Sequence, residues 1–135
     1  MIIGFTGTRR GLSNFQRGFL TKYLEHVSWT EFHHGDCIGA DEQVAHIAMC
    51  HCGDREVIAH PCNLYQMRST RHKYTSALPI DAPLKRNRDI VDACDILIAC
   101  PKSASEERRS GTWYTIRYAR RVGKCVDIVT DPGIA

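Results

Sequence analysis

Two short turns in the chain pair glycine and threonine with arginine: "TGTRRG" at residues 6–11 and "RRSGTW" at residues 108–113. A glycine lets a ligand approach the main chain. The first amides of a following helix have no helical partner, and the partial positive charge there favours an anion. Ser110 and Thr112 add hydroxyl donors, and Arg9, Arg10 and Arg109 add guanidinium groups suited to a charged oxygen. Gly7, Thr8, Arg9, Arg10, Arg109, Ser110, Gly111 and Thr112 therefore read as a site for a phosphate or carboxylate. Ser110-Gly111-Thr112 also reads as an ordinary helix cap with no ligand. The recurrence of the pattern in two turns favours the anion. The GxxxxGK[ST] pattern is absent, so phosphoryl transfer through a P-loop has no support.

Other residues belong to the same chemistry by position. "HHGDCIGADEQ" holds Asp36, which can accept from a ribose hydroxyl, and Asp41, in the first helical turn, whose commoner role is to complement the helix dipole. "PLKRNRD" carries Lys85, Arg86, Asn87 and Arg88; it reads equally as a solvated basic turn and as a ligand contact. Trp113 and Tyr114 stand where a surface helix would carry polar residues, so they either pack against the first turn or lie against a flat ring. His33, His34 and His60 fall at strand ends, and none stands beside an evident nucleophile. The seven cysteines show no CxxC pair. Cys50, His51, Cys52, His60 and Cys62 can be imagined as a metal cluster, but the CxC spacing is awkward and reduced thiols are the favoured reading. Cys94, Cys100 and Cys125 are expected at apolar positions. No metal, cofactor or catalytic residue is assigned.

These residues need a scaffold. A chain of 135 residues fits one domain, here taken as residues 1–135. It has no apolar run long enough to span a bilayer and its start, "MIIGFTGTRR", lacks the pattern of a signal peptide, so no membrane partner and a cytoplasmic location are expected. Short apolar runs alternate with helical stripes. "MIIGFTG", "WTEFHHG", "REVIAHP", "DILIACP" and "KCVDIVT" read as strands. "SNFQRGFLTKYLEHV", with a capping box at Ser13 and Gln16, "GADEQVAHIAMC", "LKRNRDIVDAC" and "GTWYTIRYARRVG" read as helices. The intervening stretch at 63–82 shows no period, and the tail "DPGIA" is expected to pack against nothing. This alternation predicts an α/β fold: a small Rossmann-like three-layer domain with a mostly parallel five-stranded sheet in the order 3-2-1-4-5. Its first and fourth strands would bring the two Gly-Thr turns to one switch point, where open sheets bind ligands.

The segments "GFTGTRRG", "HHGDCIGADEQVAHIA", "RNRDIVDACDILIAC" and "RSGTWYTIRYARRVGK", in this order, resemble the SLOG superfamily, and the likeness runs over nearly the whole chain. That group includes the DNA-processing protein A family and the "lonely guy" phosphoribohydrolases; "GD-x-x-GAD" and "SGTW-x-T-I-R-x-A" resemble its small prokaryotic or phage branch. The resemblance implies binding of nucleotides or ADP-ribose-type signals, as in phage defence or anti-defence. It makes Gly7, Thr8 and Arg9 the first phosphate loop, Asp36 and Asp41 the acidic stretch, and Ser110, Gly111 and Thr112 the second phosphate loop. The hydrolytic members carry a catalytic Glu where this chain has Thr115, and an alcohol cannot replace a carboxylate as a general base. Nucleoside deoxyribosyltransferase-like proteins share the late helix and its preceding strand, and their Glu also falls on a position without a carboxylate. The expectation is a sensor or sequestering protein for a nucleotide-derived small molecule, without efficient turnover. The alternative is an enzyme cleaving an N-glycosidic bond through Asp36 or Asp41. Single-stranded nucleic acid comes third, because a net charge of +3 is too small by itself to argue for a polyanion partner. A homo-oligomer is left open, with Trp113, Tyr114 or the 63–82 loop as its surface.

Overall fold

The computed structural model describes residues 1–132; the last residues of the tail, 133–135, lie outside the described part. Six strands form one sheet: β1 (Ile2–Gly7), β2 (Glu31–His34), β3 (Glu56–Ala59), β4 (Ser76–Ala77), β5 (Ile96–Cys100) and β6 (Cys125–Ile128). Four helices connect them: α1 (Asn14–His26), α2 (Ala40–Cys50), α3 (Pro83–Ala93) and α4 (Gly111–Arg121). The strand order is β4-β3-β2-β1-β5-β6, and every pairing is parallel. This is the expected Rossmann-like α/β domain with one strand more. The extra strand, β4, is two residues long and exposed, so it carries no apolar signal that a sequence could show.

Burial divides the helices between the two faces. Ile3, Phe5, Phe32, Val57 and Ile98 of the sheet pack with Leu20 and Leu24 of α1 and with Val44 and Ala48 of α2. On the opposite face Leu97 packs with Ile90 and Val91 of α3 and Ala119 of α4, and Ala99 packs with Trp113 and Ile116. The expected capping box is present: the Ser13 side chain accepts from the Gln16 amide and the Gln16 side chain accepts from the Ser13 amide.

Register sets the site. Gly7 at the end of β1 lies opposite Cys100 at the end of β5. The two strands therefore finish at the same level, and the segments that follow start side by side at the carboxyl edge of the sheet. The Thr8 amide extends the ladder by donating to the Cys100 carbonyl at 3.1 Å.

Two minor expectations are corrected. Cys125 is exposed, because it begins an edge strand, whereas Cys94 and Cys100 are buried. The tail is not wholly unattached, since the Ser13 hydroxyl donates to the Asp131 carboxylate.

Candidate functional site

A cleft of about 430 Å³ opens between the turn after β1 and the start of α4. Its lining includes Gly7, Thr8, Arg9, Arg10, Asp41, Arg86, Asn87, Arg109, Ser110, Gly111 and Thr112, so both Gly-Thr turns reach one hollow.

The first turn is rigid because its polar groups are taken up internally. The Thr8 carbonyl accepts from the amides of Gly11 and Ala40, at 3.2 and 3.1 Å, and its hydroxyl accepts from the Arg10 amide at 3.2 Å. Gly7 is required there: a Cβ at this position would come within 2.6 Å of the Ala40 Cβ and 2.9 Å of the Phe5 ring. Arg9 and Arg10 remain exposed at the rim. The second turn is different. The Ser110 hydroxyl caps α4 by accepting from the Trp113 amide at 3.2 Å, and the Ser110 carbonyl accepts from Tyr114. The amides of Gly111 and Thr112 make no hydrogen bond among the described residues. A Cβ on Gly111 would meet nothing within 4 Å, so packing does not demand glycine there. Two unused donors at a helix N-terminus, facing a cleft rimmed by guanidinium groups, can hold an oxyanion.

Arg86 forms one wall and is not part of a solvated turn. It is only 5% exposed, and its Nη1 donates to the carbonyls of Gly35 and His60, the latter at 3.2 Å. Both Nη1 and Nη2 lie 3.5 Å from the Cys37 Sγ. It ties α3 to the segments that leave β2 and β3. The turn of Lys85, Arg86 and Arg88 thus splits three ways: Lys85 pairs with Asp81 and Asp89 at 2.9 Å each, and Arg88 donates to the Tyr114 hydroxyl at 2.8 Å.

Asp41 lies in the first turn of α2, where its Oδ2 accepts from the Cys37 amide at 3.3 Å. Burial pushes its carboxyl up to about 6, against the opposing pull of the Arg86 guanidinium. It can therefore exchange a proton close to neutral pH. Burial, with the Asp41 charge beside it, pushes the Cys37 thiol up to about 12, which makes it a wall and not a nucleophile.

Two expected site residues do not line the cleft. Asp36 is 3% exposed in a left-handed turn with φ of 54°, and its carbonyl accepts from the Ser69 amide at 2.7 Å. Burial raises its carboxyl above the usual range, while Arg68, His72 and Arg86 oppose that shift. Trp113 points into the core against Ala99 and Ile116, not toward the first turn or an open ring site, because it shares a helical stripe with Ile116 and Ala119. At 4% exposure it offers no surface to a second copy. Thr115 is also buried, and its hydroxyl donates to the Gly111 carbonyl at 2.8 Å.

Sequence reasoning missed Lys102 and Glu107, which line the cleft and pair at 3.3 Å, and Met67, which comes from the 63–82 stretch. The first two follow the carboxyl end of a strand, and that position is the one signal they carried. The histidines make a separate network. The Nδ1 of His33 lies 2.7 Å from the Nε2 of His60, and the Nε2 of His33 lies 2.9 Å from Glu31. No group of three or more His, Cys, Asp or Glu side chains among the described residues is arranged to hold a metal ion. No helix among them is long and apolar enough to cross a membrane.

No family model and no curated protein matches this chain. Among solved structures it is similar to the X-ray structure of the structural-genomics target TM1055, at 12% sequence identity and a TM-score of 0.60, over 93% of this chain and 70% of that one. A likeness at that identity speaks to architecture alone, and with the sheet order above it makes this chain a Rossmann-like α/β domain.

Proposed function

We propose that the chain binds a phosphorylated nucleotide, or an ADP-ribose-type signalling nucleotide, in the cleft between the β1 and β5 ends, as a sensor or a sequestering protein. The observation that carries this reading is the pair of unengaged amides at Gly111 and Thr112, opening on a cleft rimmed by Arg9, Arg10 and Arg109. A phosphate on those amides is held by main-chain donors and charge-assisted bonds together. The nucleoside then lies toward Asn87, Leu84 and Met67. The resemblance of the motifs to the SLOG superfamily, small prokaryotic or phage branch, supports the same ligand class. Titration calorimetry of the chain with AMP, ADP and ADP-ribose tests it. Micromolar binding that weakens at least about tenfold in Arg9→Ala is expected, a loss of roughly 1.4 kcal/mol. No binding to any of the three removes the proposal.

Asp41 favours a second reading, in which the cleft cleaves an N-glycosidic bond. A carboxyl with a pKa of about 6 in a ligand cleft suits general acid–base work, although the family's Glu position is Thr115. Chromatography after incubation with AMP separates the two readings. Free adenine that disappears with Asp41→Asn supports catalysis, and tight binding without adenine supports a binding protein.

A further inference from the structure

A second cleft, of about 410 Å³, lies against the first and shares Thr8, Arg10 and Lys102 with it. Both volumes fall in the roughly 300–1,000 Å³ range of small-molecule sites. The shared residues form a ridge between the hollows. Thr8 makes the ridge stiff through its bonds to Cys100, Gly11 and Ala40, while Arg10 and Lys102 place two cations along it.

The second hollow is preformed. Gln16 is 4% exposed, and its Nε2 donates to the carbonyls of Pro101 and Val129, at 3.2 and 2.8 Å. Its Oε1 accepts from the Ser13 amide at 3.0 Å. One side chain thus ties together the segments after β1, β5 and β6, and their separation cannot close without breaking buried bonds. Charge is distributed unevenly along this hollow. Its cations are the two ridge residues, and its one carboxylate among the described residues, Asp131, already accepts from the Ser13 hydroxyl. The capping box of α1 engages the amides of Ser13 and Gln16. Those of Asn14 and Phe15 make no hydrogen bond among the described residues, but neither residue lines this hollow, whereas Gly111 and Thr112 line the first. Away from the ridge the lining is hydroxyls, Ser103 and Thr130, with the buried Leu12 below. That environment repels a second terminal phosphate less than it simply fails to hold one, and it suits an uncharged sugar and base.

We infer that the two hollows together take a ligand with a nucleoside or sugar unit on each side of a phosphate bridge, the bridge lying over Arg10 and Lys102 and the second unit entering the hollow walled by Ser103, Ala104 and Thr130. This inference rests on the reading that the first cleft holds a phosphorylated nucleotide. It distinguishes the ligand class from a mononucleotide and from a linear polyphosphate.

The test compares AMP, ADP and 5′,5′-diadenosine diphosphate by calorimetry on the wild-type chain and on Ala104→Trp. Ala104 is exposed, so the indole fills the second hollow without touching the core. The wild type is expected to bind the dinucleotide at least about tenfold more tightly than ADP. Ala104→Trp should abolish that gain and leave AMP and ADP within about twofold of wild type. Ser103→Trp, at a neighbouring exposed position, provides the same block should the first variant unfold in a thermal melt. A dinucleotide that binds no more tightly than ADP, or a gain that survives a folded blocking variant, overturns the two-armed reading while the nucleotide site stands. Absence of binding by all three compounds overturns the nucleotide site itself, and this inference with it.

Discussion

The two Gly-Thr turns look alike in sequence and have opposite duties in the structure. At Gly7-Thr8 the glycine is pressed against Ala40 and Phe5, and the Thr8 amide, carbonyl and hydroxyl all bond within the chain. At Gly111-Thr112 a would-be Cβ on the glycine meets nothing within 4 Å, and both amides are left without partners among the described residues. The first turn is architecture that carries arginines to a rim; the second is a donor pair held open. A dipeptide therefore says little about whether its polar groups are available. The neighbours that consume those groups decide it.

The largest expected effect breaks the first member of the pair and spares the second. Gly7→Val forces side-chain atoms into space held by a helix residue and an aromatic ring. It should lower unfolding free energy by about 3 kcal/mol, the upper part of the usual range for overpacking. Gly111→Ala meets no atom and trims the freedom of the unfolded chain, so stability should hold or rise by up to about 1 kcal/mol. The same alanine crowds the approach to the free amides, and AMP affinity should fall about tenfold. Urea unfolding and calorimetry on both variants measure the contrast. Equal destabilisation by the two changes would erase the distinction between the turns.

Much of the scaffold was legible and the division of labour within the site was not. β5 is an unbroken apolar run, β1 is one interrupted only by Thr6 near its end, and the stripe of Leu20 and Leu24 in α1 has helical period, so local pattern and tertiary burial agree. The central order followed from the long excursion between β3 and α3. Arg86 stood four residues before Ile90, on the same face of α3, and Trp113 stood three before Ile116 in α4; both spacings pointed inward, although charge and aromatic type suggested the surface. Asp36 could not be placed because a left-handed conformation at a non-glycine residue carries no local pattern, and its neighbours Gly35 and Cys37 line the cleft while it does not. Lys102 and Glu107 lie in a stretch without period, and their pairing arises from how that loop folds.

A second prediction extends the contrast to His34, whose polar groups are fully engaged. Its Nε2 donates to the Lys73 carbonyl at 3.0 Å and its Nδ1 accepts from the Asp36 amide at 3.0 Å, a pattern that needs the neutral ring. Burial pushes His34 down to about 4, only partly offset by the Lys73 carbonyl, with His33 and Arg86 adding to the depression. The folded pKa lies below the unfolded value of about 6.5, so this stabilisation is full above pH 6.5 and is lost as pH falls toward 4. His34→Gln keeps the bond to Lys73 and orphans the Asp36 amide. It should cost about 2 kcal/mol at pH 8. Protonation of the wild-type ring removes about 3 kcal/mol by pH 4, so the gap should close at about pH 5 and reverse by roughly 1 kcal/mol at pH 4. Asp41 titrates in the opposite sense over much of this interval, since its raised carboxyl favours the fold when protonated. The difference between wild type and variant, and not the wild-type melting curve alone, therefore isolates His34. A gap that stays constant with pH would show that the ring does not need to be neutral.

The smallest effect tests how the rim shares its charge. Lys102 and Glu107 form a surface pair at 3.3 Å with side chains 41% and 35% exposed, and such pairs contribute little to stability. Glu107→Gln should therefore change unfolding free energy by less than about 0.5 kcal/mol. It also removes a carboxylate from the cleft wall and frees Lys102 to face a ligand. AMP affinity should rise about two- to fivefold at low ionic strength, and the gain should fade near 0.5 M salt, where the screening length has contracted to about 4 Å. A gain that ignores salt would mean that the substitution reshapes the 101–110 loop and does not act through charge. In that case Lys102 belongs with Thr8, as a residue whose interactions serve the fold, and the available donors shrink to Gly111, Thr112 and the arginines.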